Sequence, residues 1–223
     1  MEGPEMTSFP GSPKTLRSGL VLVDPSSGAV RRVITLQYNP DQISRTLQVQ
    51  SIGEAGDRSE ALRLKGPAVE TFKIEAELDA SDQLEFPNDN PNTVKFGLHP
   101  QIAALESMIN PSASDLIAQN SQASSGTIEV APAEAPMALF VWSAQRVMPV
   151  RVTEFSVTEE AFDPQLNPIR AKVSLGLRVL SVEDLGFSHK GGALFLGYLQ
   201  RKEMLSSKVP ASGLDALGIG GIP

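Results

Sequence analysis

Alternation of apolar and polar residues dominates this chain and predicts β-strands. In the segment 69–78, alternate positions would place apolar side chains on one face of a strand and charged side chains on the other, with Phe72, Ile74, Ala76 and Leu78 opposite Lys73, Glu75 and Glu77. Strands are also predicted at 19–24, 31–38, 44–50, 137–143, 147–162 and 168–180. The pattern therefore predicts a mainly β fold of about seven strands.

Turn-forming residues separate the strands. The segment 25–28 consists of Pro, Ser, Ser and Gly and predicts a hairpin between the first two strands. Asn39-Pro40 is predicted to end the second strand, because proline cannot donate to a ladder and disfavours a helical residue before it. The polar segment 54–66 is predicted to be an exposed loop.

Two segments depart from the strand pattern and predict helices. Ile102, Leu105 and Ile109 have helical spacing, which predicts a single helix of about three turns that ends at Asn110-Pro111. The segment 193–205 predicts a short amphipathic helix. Between the first helix and the next strand, the segment 112–136 is rich in Ser, Ala, Gly and Pro and predicts a long loop or flexible insertion.

These elements predict three regions. A flexible N-terminus is expected over 1–17, a β domain over 18–182, and a C-terminal extension with a short helix and a Gly-rich tail over 183–223. Within this extension, residues 190–223 are the predicted partner-docking region.

Composition narrows the class of protein. Hydrophobic residues make up 41% of the 223 residues and aromatic residues only 5%, so the core must be mainly aliphatic. The net charge of -7, without any run of Lys or Arg, argues against nucleic-acid binding. Cysteine is absent, which fits a reducing compartment. Without a signal-like or membrane-spanning apolar run, we expect cytoplasmic synthesis and no membrane insertion.

Two acidic clusters are candidates for a cation site and for an acid–base site. Asp79, Asp82 and Glu85, near the amides and carboxylate of 88–90, have the oxygen ligands that hard cations prefer, but the calcium-loop spacing is missing and a structural loop is favoured. Glu159 and Glu160 are adjacent, and neighbours on a strand point to opposite faces, so they are not expected to share an acid–base site.

Other catalytic patterns are also missing. His99 and His189 lie far apart and no Gly-x-Ser-x-Gly sequence accompanies either, which disfavours a Ser-His-Asp triad. The glycines of 218–221 lack the lysine and the strand–helix context of a phosphate loop. We therefore predict a protein that is not an enzyme and that uses no cofactor and no metal.

Three segments, in this order, resemble the tube-like proteins of contractile injection systems and contractile phage tails. The segment 33–45 resembles that family's strand that ends in Phe/Tyr-Asn-Pro, here Tyr38-Asn39-Pro40. The segment 138–143, with Trp142, resembles its Leu-x-Phe-x-Trp-Gly strand. The segment 162–173 resembles its Phe-Asp-Pro-x-Gly-x-Pro-Val-Arg-Ala hairpin, and contributes Phe162, Asp163, Pro164, Pro168, Arg170 and Ala171.

The similarity covers residues 18–182 and is closest to the baseplate adaptor between the inner tube and the spike, which often carries a peptidoglycan-binding LysM domain. Residues 183–223 are too short and too Gly-rich for that domain. Leu166 also stands where the family has glycine, which leaves the turn type open, with Asn167 as a candidate for a positive φ angle.

The resemblance implies a fold and a set of partners. It implies a phage-tail-tube-like antiparallel β-sandwich or barrel with one flanking helix, assembled as a hexameric ring. The implied partners are the inner tube or tube-initiator protein, the spike and other baseplate proteins, in a particle assembled in the bacterial cytoplasm; later release or association with the envelope is left open. The ten residues named for the three motifs are the expected architectural and interface positions.

Two alternatives to the adaptor stay open. One is a tube initiator or main inner-tube subunit, which copy number would distinguish from an adaptor. The other is a β-sandwich module that binds peptidoglycan or another glycan, although such sites usually expose several aromatic side chains and this chain has one Trp and two Tyr.

Overall fold

The computed structural model describes residues 16–24, 27–51, 63–124 and 137–222. Seven strands form one antiparallel sheet, and their bounds are β1 Gly19–Val23, β2 Val30–Thr35, β3 Ile43–Gln48, β4 Val69–Asp79, β5 Met137–Ser143, β6 Arg146–Phe162 and β7 Pro168–Val179. The helices are α1 Ser81–Leu84, α2 Pro91–Phe96, α3 His99–Glu106, α4 Ala113–Ser124, α5 Val182–Leu185 and α6 Lys190–Ser206, and a 3-10 turn spans Leu214–Leu217. The prediction of a mainly β fold is confirmed.

The order of the strands in the sheet is β2-β1-β5-β6-β7-β4-β3. The strand β6 links two halves of this sheet, β2-β1-β5 and β7-β4-β3. Its first residues, up to Val150, pair with β5, and its residues from Val150 to Phe162 pair with β7. An irregularity between Val152 and Glu154 marks the change. Such a bulge bends a strand and increases its twist, so β6 turns from one half of the sheet into the other.

Six of the seven strands contribute buried residues to one core, and Ile43 of β3 packs against it. The inward side chains of β4 and β7 are the alternate apolar residues that the sequence indicates, and they pack with residues of β1, β2, β5 and β6. The outward residues of the same two strands are charged or small, among them Lys73, Glu75, Lys172 and Ser174. A sheet with one apolar face has to curl or be covered, and here the sheet itself supplies most of the cover.

The helical content differs from the prediction of one flanking helix. Four helices, α1 to α4, lie between β4 and β5, and α3 is the predicted one, with Leu98, Ile102, Leu105 and Met108 in the core. The helices α1 and α2 are only four and six residues long. Helices this short show little 3.6-residue periodicity, and the turn residues of 85–91 hide their boundaries.

The segment predicted as a long loop contains α4. None of the twelve residues of α4 has a buried side chain, and Leu116 and Ile117 are exposed. Its N-terminus is held by Ser112, whose hydroxyl accepts from the backbone N–H of Asp115 at 3.1 Å. The rest of the predicted insertion, 125–136, lies outside the described residues. The same holds for residues 1–15 of the predicted flexible N-terminus 1–17 and for residues 54–62 of the predicted loop 54–66.

The C-terminal helix α6 is longer than predicted and packs on the sheet. It spans 17 residues, and Phe195 and Tyr198 belong to the core. Its start is fixed by His189, whose Nδ1 accepts from the backbone N–H of Gly191 at 3.0 Å. A Cβ on Gly192 would lie 2.1 Å from the carbonyl oxygen of Gly186, so only glycine lets α6 approach α5 this closely. Within the described ranges, no helix is long and apolar enough to cross a membrane.

A buried carboxylate fastens α6 to the sheet. Glu70 of β4 is only 3% exposed. It accepts from the hydroxyl of Tyr198 at 2.8 Å and from the ammonium of Lys202 at 2.6 Å, and Arg45 of β3 approaches it at 3.6 Å. Burial, and then Glu70 itself, raise the pKa of Tyr198, so its hydroxyl stays a donor at physiological pH. A buried charge is tolerated because its partners surround it.

Loss of this contact should destabilise the fold. We expect Glu70→Ala to lower the free energy of unfolding by about 3 kcal/mol, because it leaves Tyr198 and Lys202 without their acceptor. We expect Tyr198→Phe to lower it by about 1.5 kcal/mol, because it removes one donor to the buried carboxylate. Urea unfolding followed by circular dichroism measures both. The control is Glu75→Ala on the outer face of the same strand, with an effect within about 0.5 kcal/mol. Equal effects of Glu70→Ala and Glu75→Ala would contradict the prediction.

Candidate assembly surface

The Tyr38-Asn39-Pro40 segment ties the two ends of the first hairpin together. The side-chain oxygen of Asn39 accepts from the backbone N–H of Ser18 at 2.8 Å and from its hydroxyl at 3.1 Å. The side-chain nitrogen of Asn39 donates to the carbonyl of Leu16 at 2.7 Å. The Asn39 side chain thus makes the hydrogen bonds that a neighbouring strand would make to the backbone just before β1. This is an architectural role.

Sequence reasoning missed the residue just before this motif. The side chain of Gln37 donates to the carbonyl of Asp79 at 2.6 Å and accepts from the N–H of Asp79 at 2.9 Å. It pairs with the end of β4 as a peptide group would, although β2 and β4 are not neighbours in the sheet. The edge strand β2 is thereby drawn toward β4, and the sheet curls into a partly closed barrel. A lone glutamine after a strand carries no sequence signal for such a contact.

Tyr38 and Pro40 lie at the outer surface beside this closure. Tyr38 is 41% exposed, and its hydroxyl lies 3.4 Å from a carboxylate oxygen of Asp82. Partial burial, and then the charges of Asp82 and Asp79, raise the pKa of Tyr38. Its hydroxyl therefore stays protonated and able to donate toward Asp82.

The β6–β7 turn is built around Asp163. One carboxylate oxygen accepts from the backbone N–H groups of Gln165 and Asn167, both at 2.8 Å, and the other accepts from the Asn167 side chain at 2.8 Å. The backbone of the turn is closed by Leu166 N–H donating to the Asp163 carbonyl at 2.9 Å. The Asn167 side chain, and then the backbone N–H groups, hold the pKa of Asp163 below its usual value.

The hairpin carries backbone strain. Leu166 has φ 65° and Ala161 has φ 51°, and they are the two non-glycine residues with positive φ in the described part of the chain. The expectation that Asn167 takes the positive φ angle is wrong, because Asn167 instead uses its side chain to bind Asp163. Leu166 occupies the left-handed position that suits glycine, and it is 76% exposed.

The far side of the hairpin rests on the helices. The Pro168 carbonyl accepts from the N–H of Leu98 at 2.9 Å, where α2 gives way to α3. Gly97 lies between these helices with φ 56°, and a Cβ there would be 2.5 Å from the Pro168 oxygen, so this contact requires glycine. Pro168 starts β7, a position where proline costs no ladder bond.

Two further motif residues hold β7 to its neighbours. Arg170 donates to the Asp79 carboxylate at 3.1 Å, on the strand next to it. Ala171 is fully buried between Leu78 and Glu159 in the sheet register, where a larger side chain would meet the core. On the outer face, Lys172 lies 3.3 Å from Glu160, so Glu160 is part of an ion pair and Glu159, its neighbour, points to the other face.

The remaining predicted positions fall at two separate places. Trp142 is partly buried and lies beside Phe140, with ring centroids 6.3 Å apart. Phe162 is 49% exposed at the tip of β6, and Pro164 is exposed in the turn. The structure therefore unites Tyr38-Asn39-Pro40 with the start of β7 through Asp79, and places Trp142 apart from both.

One long stretch of β6 lies at a free edge. From Glu154 to Phe162 this strand pairs with β7 alone, and no strand of the described residues pairs with its other side. The strand β3 forms a second free edge beyond β4. Together, β6 after the bulge, β7, β4 and β3 form a four-stranded portion with an open strand on each side. Proteins usually protect such edges, because they template pairing with another chain.

The outer face of this portion is concave and polar. It lines a groove of about 800 Å³ with the loop 38–42 as one wall, and its lining includes Ser44, Lys73, Glu75, Glu77, Ser156, Thr158, Lys172 and Ser174. The groove carries both signs of charge, with Lys73 and Lys172 beside Glu75 and Glu77, and its Ser and Thr residues are small. Such a surface holds no anchor for an apolar ligand and suits contact with water.

Residues of the candidate chemical sites make structural contacts. In the described ranges, no group of three or more His, Cys, Asp or Glu residues is placed to hold a metal ion. Asp79 instead binds Arg170 and the N–H of Ser81, and it is these contacts, Ser81 first, that lower its pKa. His189 serves as a helix cap. The 218–221 glycines follow the C-terminal 3-10 turn.

The geometry defines a mainly β protein built on one curled antiparallel sheet. No family model matches the chain, and no curated protein matches it. Among solved structures, a chain from the tail of an empty gene transfer agent (GTA) particle, a structure with C6 symmetry, is 11% identical with a TM-score of 0.29, over 73% of this chain and 90% of that chain. A chain from the virion of a native GTA particle is 11% identical with a TM-score of 0.27 over the same shares. Likeness of this degree defines neither a family nor a function.

Replacing the strained leucine should stabilise the hairpin. We expect Leu166→Gly to raise the free energy of unfolding by about 0.5–1 kcal/mol, because glycine removes the left-handed penalty of about 1–2 kcal/mol but adds disorder to the unfolded chain. Leu166→Ala is the matched control, since it shortens an exposed side chain but keeps the Cβ. Thermal unfolding measures both, and an equal gain in the two variants would contradict the role of φ.

Asp163 should make stability fall in acid. Its pKa is lowered in the folded state, so its contribution is present above the unfolded value of about 3.9 and is lost as pH falls through the folded value. The comparison is with Asp163→Asn, which keeps one acceptor oxygen but carries no charge. We expect the difference in Tm between the two proteins to be largest near neutral pH and to shrink below about pH 4. A difference that stays constant down to about pH 2 would refute this.

Proposed function

We propose that this protein is a structural, non-catalytic subunit of a phage-tail-like particle, assembled in the bacterial cytoplasm. In the more specific form of the proposal, it is the hexameric adaptor that joins the inner tube of a contractile injection system to the baseplate spike. The observation that carries the proposal is the four-stranded portion with two open edges and a concave polar face. An isolated chain gains nothing from such edges, whereas a ring of copies pairs them.

The motif residues support this proposal by what they hold in place. Gln37 fixes the closure of the barrel, Asn39 holds the backbone that enters β1, and Asp163 fixes the turn at the end of the long hairpin. Arg170 links that hairpin to β4. These contacts hold the open portion in shape, and a subunit whose task is geometric needs rigid edges more than it needs reactive groups.

The C-terminal residues support a docking role for the end of the chain. Beyond the core contacts of α6, a series of exposed apolar side chains continues to the end of the described chain, namely Met204, Leu205, Val209, Leu214, Leu217, Ile219 and Ile222. Exposed apolar residues in such a series are typical of a surface that a partner covers. We assign this segment to contact with the spike or another baseplate protein.

The Trp and Tyr residues give less support to a glycan-binding module. Trp142 is partly buried against the core, and Tyr198 of α6 is buried in the core. Of the one Trp and two Tyr residues, Tyr38 is therefore the exposed one. Sugar-binding platforms rely on exposed aromatic faces. A structural role is therefore the better account of the described surface.

The proposal predicts a ring that occurs once in the particle. Native mass spectrometry of the purified chain, alone and with tube and spike proteins from the same gene cluster, should show a species of about 143 kDa, which is six copies of the 23.8 kDa chain. Cryo-electron microscopy of intact particles should place one such ring at the tube base. Many stacked rings would instead identify a main tube subunit, and strong enrichment on cell-wall sacculi without a ring would favour the glycan-binding module.

A further inference from the structure

The helix α4 has an apolar stripe that faces solvent. Ala113, Leu116, Ile117 and Ala123 fall on one side of the helix, at helical spacing. Leu116 is 51% exposed and Ile117 is 67% exposed, and no residue of the helix is buried. A helix of 12 residues is marginal on its own in water, because most helical stability in proteins comes from packing an apolar face. The helix α4 therefore needs a surface to pack on, and the described part of the chain does not supply one.

The helix α6 has an open face that could receive another helix. Its buried side carries Phe195 and Tyr198, while Ala193, Gly197 and Gln200 lie on the other side. A Cβ on Gly197 would meet nothing within 4 Å, so no contact in the described chain requires glycine there. Glycine inside a helix is destabilising relative to alanine. Small residues on a helix face allow the axis of a second helix to come close, so this position suits a helix from outside the chain.

We propose that α4 of one copy docks on the open face of α6 in a neighbouring copy. The inference goes beyond the proposed function and rests on it only in that copies of the chain assemble. In the single chain α4 is exposed and the face of α6 is open, so the two helices are not paired within one copy. The contact removes Leu116 and Ile117 from water, together with the exposed Leu194 at the border of the α6 face.

The charges of the two helices favour this pairing over a pair of α6 helices. The charged residue of α4 is Asp115, whereas α6 carries Lys190, Arg201 and Lys202 against Glu203. Two copies of α6 side by side would bring an excess of positive charge together. Docking of α4 on α6 instead joins helices of opposite net charge.

Each helix also places one amide within its face. Asn120 interrupts the apolar stripe of α4, and Gln200 lies in the open face of α6. Both side chains are exposed, and neither has a hydrogen-bond partner among the described residues. Two amides that face each other can both donate and accept, and a polar pair inside an apolar helix contact fixes the register. The pair of Asn120 and Gln200 therefore marks the centre of the proposed contact.

Disulfide cross-linking tests this contact, because the chain has no cysteine. One variant carries Asn120→Cys, and a second, with an affinity tag that changes its size, carries Gln200→Cys. The two are mixed, allowed to associate and oxidised. The matched control replaces Asn120→Cys with Ala118→Cys, an exposed position on the opposite side of α4. We expect mixed dimers on denaturing gels from Asn120→Cys with Gln200→Cys, and about fivefold fewer from the control mixture.

Other cross-linking results would overturn the inference. Dimers from Asn120→Cys oxidised alone would show that α4 pairs with α4. In a chain that carries both substitutions, a cross-link within the monomer, without mixed dimers in the mixing experiment, would place α4 on α6 of the same copy. Equal yields from Asn120→Cys and Ala118→Cys would show that α4 has no preferred face.

Substitution of Gly197 gives a test in which folding and docking respond differently. Gly197→Ala should raise the Tm of the monomer, because the new methyl group enters open space and improves the helix. Gly197→Trp should leave the monomer folded but weaken self-association by about tenfold, measured by sedimentation. The control is Ala118→Trp, whose effect on self-association should stay within about twofold. Equal self-association of Gly197→Trp and Ala118→Trp would overturn the inference.

Hydrogen exchange of the unsubstituted chain gives a further readout. The N–H groups of 113–124 should exchange fast in the dilute monomer and slow by about tenfold or more on assembly. Protection already in the monomer would mean that the chain covers α4 itself, which overturns the inference.

The docking and the proposed function can fail separately. A ring seen by native mass spectrometry without cross-links between α4 and α6 would overturn the docking and leave the proposed function standing. Cross-links in a chain that never joins tube or spike would leave the docking standing and refute the proposed function. A chain that stays monomeric at every concentration would overturn both.

Discussion

The structure depends on the burial of one apolar sheet face. In β4 and β7 every second residue is apolar, and these side chains meet those of the other strands and of α3 and α6 in a single core. A flat sheet of seven strands would leave that face in water, so the sheet has to bend around it. The bulge of β6 near Thr153 supplies the bend, and α3 and α6 fill what the curled sheet leaves open.

Side-chain amides and carboxylates complete what the backbone ladders leave unfinished. Gln37 pairs with the backbone of Asp79, Asn39 with that of Ser18 and Leu16, and Asp163 with that of the hairpin turn. Each contact satisfies backbone groups that no strand reaches. Glu70 holds α6 to the sheet through side-chain contacts, with a hydroxyl and two cations as partners. These contacts fasten the ends of the open portion of the sheet.

Patterning predicted the strands well and the connections poorly. The strands 137–143 and 168–179 agree with the expected segments to within one residue. Alternation over several residues predicts a strand well, because it reflects which side chains face the core. The pattern did not predict α1 and α2, since helices this short show no clear period. It did not predict α4 because most residues of that helix are small or polar and none is buried. In the hairpin, the left-handed position fell on Leu166 rather than on Asn167, because the amide of Asn167 bonds to Asp163.

The sequence by itself determined the number of strands, the face that each presents to the core, and the turn at Asp163, since all three depend on neighbours a few residues apart. The tertiary structure alone decided which strands pair, that Gln37 closes the barrel against Asp79 over 42 positions of chain, and that Glu70 meets Tyr198 over 128. It also decided that β6 outruns β5 and leaves an open edge. Contacts of that range follow from the path of the whole chain, which no local pattern encodes.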